Sequence, residues 1–149
     1  MEVQPDFRDL LASLNAHRVE YAIVGAYALA YHGHPRATGD LDILVQPDLE
    51  NARRLLQAIR SFGFGDLELT EEDFLEPNRI LQLGYPPVRI DLMSGLSGVT
   101  WEEVAPGREE EEYGGLPVLV IGREAFIRNK RASGRLQDRA DLEALGEVP

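Results

Sequence analysis

The sequence predicts an α/β (α+β) domain built on a mixed β-sheet flanked by helices. Three observations predict it. Stretches with helical spacing and stretches of strand character alternate irregularly along the chain. Two pairs of strand-like runs are separated by hairpin-length connections, at Tyr85-Pro86-Pro87 and at Gly114-Gly115. The 149 residues contain no internal repeat or low-complexity linker, which bounds one domain, 1–149, large enough to bury a core.

The elements follow in order. "PDFRDLLASLNAH" places Phe7, Leu10, Leu11 and Leu14 on one helical face. "YAIVG" reads as a short buried strand, and "AYALAYHG" as a short apolar helix closed by Gly33. "LDILV" is a second strand. "PDLENARRLLQAIRSFGF" is an amphipathic helix whose expected buried stripe is Leu49, Ala52, Leu55, Leu56, Ile59 and Phe62, with Asp48 as N-cap. "RILQLG" and "VRIDLMS" are strand-like, as are "REEEEYGG" and "LPVLVIG". The acid run Glu109 to Glu112 suits a solvated sheet edge, where like charges discourage further strand pairing. "REAFIRNKRASG" and "LQDRADLEALGE" close the chain as helices.

Composition narrows the function. The net charge is -11, so most of the surface repels duplex nucleic acid and no extensive duplex DNA binding is expected. There is no cysteine, which excludes disulfides, thiolate nucleophiles and sulfur-ligated zinc. His17, His32 and His34 have no metal-binding spacing. No run of about 18 apolar residues spans a membrane, and the acidic N-terminus is unlike a signal peptide; a cytoplasmic location is expected. All the basic residues are arginine except Lys130.

One stretch carries chemistry. In "YAIVGAYALAYHGHPRATGDLDILV", Asp40 and Asp42 are two residues apart at the start of a strand, so both point to one face. Two carboxylates about 4 Å apart repel by roughly 4 kcal/mol at an effective dielectric near 20. Either water bathes them or something positive compensates them. Asp91 in "VRIDLMS" is a second anomaly, because a mid-strand aspartate is disfavoured and costly to bury unpaired. If that strand lies beside "LDILV", three carboxylates converge, a donor set that suits Mg²⁺. The alternative is that Asp91 pairs with Arg36 or Arg89. Gly25, between strand and helix, either aims backbone N–H groups at a phosphate or merely lets the chain turn. Arg36 and Thr38, just before Asp40, are candidates for contacting phosphate.

"VGAYALAYHGHPRATGDLDILV" resembles the signature of the nucleotidyltransferase superfamily, whose archetype is the palm of DNA polymerase beta. That signature is Gly-Gly or Gly-Ser after the first strand, a short helix, Asp-x-Asp opening the next strand, and a third carboxylate on a later strand. Its flavour is similar to toxin–antitoxin-type nucleotidyltransferase-like proteins and their small relatives, and to the aminoglycoside and lincosamide nucleotidyltransferases. "FIRNKRASGRLQDRADLEAL" is similar to the closing element of the toxin-like group, with Lys130, Arg135, Asp138 and Asp141 matching. Ala26 departs from the pattern, and leaves only a backbone N–H where the family has Gly or Ser.

The resemblance implies a nucleotidyltransferase-like fold and transfer of a nucleoside monophosphate from an NTP to an acceptor: tRNA, protein or small molecule. It implies two Mg²⁺ ions held by Asp40, Asp42 and Asp91 as catalytic residues. Gly25, Ala26, Arg36, Thr38 and Lys130 would bind the nucleotide, and an antitoxin would be a partner. Two other readings compete: a non-catalytic, partner-binding relative, and a metal-dependent phosphohydrolase or nuclease using the same carboxylates.

Overall fold

The computed structural model describes residues 1–36, 39–64, 68–85 and 88–149. Pro5 opens α1 (Pro5–Ala16), and the Gln4 side chain accepts from the N–H groups of Asp6 and Phe7. Phe7, Leu10, Leu11 and Leu14 are its buried face, as the spacing predicts. β1 (Tyr21–Val24) is buried along its whole length and runs directly into α2 (Gly25–Tyr31). The strand β2 (Asp40–Val45) pairs antiparallel with β1 and is followed by α3 (Leu49–Ile59), capped by Asp48 accepting from Asn51 N–H at 2.8 Å.

Two details of α3 differ from expectation. Leu49 is 45% exposed rather than buried. It is the first residue of the helix, where the turn has not yet swung its side chain onto the core. Buried Asn51 fills the stripe instead: its amide accepts from Glu20 N–H at 2.7 Å and donates to the Glu20 and Gln46 carbonyls at 3.0 Å. The helix also stops earlier than its sequence pattern, in a wider turn over Arg60–Phe64 that contains Gly63 at positive φ. Phe62 is only partly buried, though it packs on the core.

β3 (Ile80–Tyr85) and β4 (Val88–Met93) form an antiparallel pair. Pro86 and Pro87, where the sequence puts their connection, lie outside the described residues. A short α4 (Trp101–Val104) carries a Thr100–Glu103 capping box. β5 (Glu109–Tyr113) and β6 (Leu116–Val120) are the second antiparallel pair, turning at Gly114 and Gly115, both at positive φ. α5 (Arg123–Ser133) ends at left-handed Gly134, and α6 (Leu136–Ala144) follows.

The six strands form one mixed sheet in the order β3-β4-β2-β1-β6-β5. Its central crossovers are parallel, β2 with β4 and β1 with β6. The acidic β5 is an edge, as its charge suggests. Leu41 and Ile43 of β2 lie in register with Ile90 and Leu92 of β4, and all four are buried. These residues turn to the core, so the residues between them turn to the opposite face. Alternation in two neighbouring strands therefore puts Asp40, Asp42 and Asp91 on the face away from that core. No helix among the described residues is long and apolar enough to cross a membrane.

Candidate active site

Parallel pairing of β2 and β4 sets Asp42 directly beside Asp91 and Asp40 beside Arg89. Facing residues in register share a side of the sheet, so the three aspartates and Arg89 form one polar cluster. Asp91 is nearly buried and accepts a fork from Arg89, Nε to Oδ1 at 3.0 Å and Nη2 to Oδ2 at 2.9 Å. The same Nη2 lies 3.8 Å from Asp40 Oδ2. Asp42 bears the strain of the cluster. Burial, then repulsion from Asp91 and Asp40, pushes its carboxyl up to about 6, against a smaller pull from Lys130.

Gly25 explains how Asp42 fits. Its φ is +67°, and a Cβ added there would collide with Asp42 Oδ2. The glycine is thus required twice, for a left-handed backbone and for the room that the carboxylate fills. Val24, Gly25 and Asp42 line a cavity of about 330 Å³. Polar Ser97, Asn129, Lys130, Ser133 and Arg135 and apolar Ile80, Met93 and Leu96 also line it.

The C-terminal helices bring cations to this cavity. Lys130 on α5 is buried and donates to Asp138 at 3.2 Å, with Asp141 at 3.8 Å. Arg135 grips the same Asp138 through Nε at 2.8 Å and caps the start of α6. Burial alone would raise the Asp138 carboxyl, but Arg135 and Lys130 outweigh it and hold it well below the usual carboxylate range. Arg36 reaches Asp141 rather than the aspartates of β2, at 3.1 and 3.4 Å. Asp141 therefore pairs with Arg36 and Lys130.

Of the residues the sequence singles out, Gly25, Asp42 and Lys130 meet at one cavity, with Asp91 and Asp40 beside Asp42. The Ala26 side chain lines a separate cavity with Tyr27, Ala30 and Arg36. Thr38 lies outside the described residues. Tyr27 packs edge-on to Phe7 and Tyr113, and buried Trp101 is covered by Arg108, so neither ring is a free stacking platform. The sequence suggested Arg89 only as one salt-bridge partner among others; its place two residues before Asp91 was the available signal. The apolar lining residues Ile80, Met93 and Leu96 gave none, since each residue reads as ordinary strand or loop.

Among the described residues, no three His, Asp or Glu side chains stand grouped so as to hold a metal ion. The donor chemistry nevertheless fits a hard divalent cation. Asp42 and Asp91 adjoin in register, Asp40 is on the same face, and burial together with repulsion from the other two raises the cost of charge on Asp42.

No family model matches the chain, and no curated protein matches it in sequence. Solved structures do match in fold. A Thermotoga maritima protein provisionally classed as a nucleotidyltransferase superposes with a TM-score of 0.63 at 15% identity, over 95% of this chain and 93% of that one. The antibiotic-resistance factor ANT(2'')-Ia in solution matches with a TM-score of 0.60 at 15% identity, over 95% and 80%. The lincosamide antibiotic adenylyltransferase LnuA, bound to lincomycin, matches with a TM-score of 0.55 at 13% identity, over 98% of both chains. At such identities the likeness is one of fold, and the mixed sheet with its flanking helices is the nucleotidyltransferase fold.

Proposed function

We propose that this chain is a Mg²⁺-dependent nucleotidyltransferase that moves a nucleoside monophosphate from an NTP to a hydroxyl acceptor and releases pyrophosphate. The observation that carries the proposal is the in-register pair Asp42–Asp91, with Asp40 beside it, where Asp42 lines a cavity together with Gly25, Lys130 and Arg135.

The acceptor oxygen attacks the α-phosphorus, and the bond from that phosphorus to the β-phosphate oxygen breaks. The electron pair leaves with pyrophosphate. The acceptor's proton would pass to a carboxylate of the Asp42–Asp91 pair acting as general base. Asp40, Asp42 and Asp91 are the residues that would hold Mg²⁺, two ions on this reading, which would supply Lewis acidity to the entering and leaving oxygens. The Gly25–Ala26 turn offers backbone N–H groups to the outer phosphates. Lys130 and Arg135, which line the same cavity as Asp42, offset charge on the departing pyrophosphate. Arg36 acts at one remove, by fixing Asp141 next to Lys130.

The acceptor class is open to a direct screen. Two structural neighbours are named for adenylyl chemistry, the lincosamide enzyme and ANT(2'')-Ia in complex with adenylyl-2''-tobramycin. ATP with a panel of hydroxyl-bearing small molecules, proteins and tRNA is therefore the first experiment. Pyrophosphate release with a labelled acceptor supports the proposal. Release of free nucleoside monophosphate instead indicates a hydrolase. A second reading, a non-catalytic relative, is favoured by the Arg89 fork, which neutralises Asp91 without metal. Calorimetry with ATP and Mg²⁺ separates it: no binding sinks the transferase.

A further inference from the structure

Arg89 stands where the carboxylates need a cation. Its guanidinium forks both oxygens of Asp91 and lies 3.8 Å from Asp40, so it bridges the two acids that flank Asp42 in the cluster. Lys130 pulls on Asp42 only from a distance, and the hydrogen bonds of the other cations go to other acids. Lys130 and Arg135 bind Asp138, and Arg36 binds Asp141.

We infer that Arg89 is the built-in counter-ion of this carboxylate set, a positioning residue that competes with divalent metal for Asp91 and has to withdraw when metal binds. The inference rests on the metal reading given above. The competition has two causes. A guanidinium fork uses the in-plane lone pairs of both oxygens, which a bridging metal also needs. A second positive charge a few ångströms away also repels an incoming dication.

The fold gives Arg89 somewhere to go. Its side chain is 30% exposed against 8% for that of Asp91, so its head already reaches water. On its other flank the residue paired with it on the edge strand β3 is Gly84, which has no side chain to bar an outward swing. Arg89 would thus keep the acid cluster folded when metal is scarce and set the metal concentration at which the site assembles.

The test is Mn²⁺ titration of the full chain without nucleotide, read by electron paramagnetic resonance, together with melting in EDTA. Arg89→Gln is expected to bind Mn²⁺ about tenfold more tightly than the parent. It should melt lower in EDTA and recover with Mn²⁺. Arg89→Lys keeps one charge but cannot fork both oxygens; it is expected to fall between the two, and carries the test if Arg89→Gln does not fold. Asp91→Asn is expected to lose Mn²⁺ binding. Equal or weaker Mn²⁺ affinity in the Arg89 variants, with Asp91→Asn still impaired, overturns the role of Arg89 alone. No Mn²⁺ binding by the parent or by either Arg89 variant overturns the metal site as well.

Discussion

Asp42 is the residue on which the site turns, and its cost is measurable. Between pH 4 and 6 the folded chain keeps a proton on Asp42 that the unfolded chain has released, so stability falls as pH rises through that window. Asp42→Asn removes the cost. It is expected to stabilise the fold by on the order of 2 kcal/mol above pH 6 in EDTA, seen by urea denaturation, and to change little at pH 4. The same variant is expected to lose transfer activity by at least about 1,000-fold, because a carboxylate needed in the transition state is gone. A parent whose stability is flat from pH 4 to 6 would contradict this account of Asp42. Gly25 makes the complementary case. Gly25→Ala forces a side chain into a left-handed backbone and into the Asp42 carboxylate, and is expected to destabilise by about 1–3 kcal/mol. Melting of the Gly25→Ala, Asp42→Gly double variant isolates the collision from the backbone strain, since only the former is relieved.

At the scale of elements, the helices α5 and α6 are joined by a buried ionic cluster rather than by apolar packing alone. Lys130, Asp138 and Asp141 are buried, and Arg135 and Arg36 close the cluster from its two sides. Asp138→Ala leaves the Lys130 ammonium buried with a weaker partner and is expected to cost about 3–5 kcal/mol. The depressed Asp138 carboxyl contributes stability that is present above about pH 4 and is lost as pH falls below it, opposite in sense to Asp42. Acid titration of the parent and Asp138→Ala, followed by circular dichroism, checks this; a parallel loss in both contradicts it. Much of this level was legible in the sequence. Short strand-like runs marked the strands, and Gly114-Gly115 and the acid run Glu109 to Glu112 marked a turn and an edge. What was not legible was register. That Asp42 faces Asp91 depends on parallel pairing of strands far apart in sequence, and that Arg36 binds Asp141 depends on a contact across 105 positions. Local pattern restricts such contacts to a face but does not choose the partner. Leu49 failed for a smaller reason, since the helical stripe says nothing of where the first turn lifts away from the core.

For the whole molecule, the fold separates charge from chemistry. The chain is acidic overall, yet Lys130 and Arg135 line the cavity that Asp42 and Gly25 also line, and these two cations would favour a polyanion there. ATP with Mg²⁺ is accordingly expected to raise the melting temperature, by an amount equivalent to about 2.7 kcal/mol at a hundred times its Kd. ATP in EDTA should do much less, since the carboxylates then repel the phosphates. The most direct measurement is a crystal structure with Mn²⁺ and a non-hydrolysable NTP, read for anomalous scattering. The account predicts a manganese peak between the Asp42 and Asp91 carboxylates, with the triphosphate running past Gly25 toward Arg135. Manganese elsewhere, or triphosphate bound away from Asp42, would contradict it.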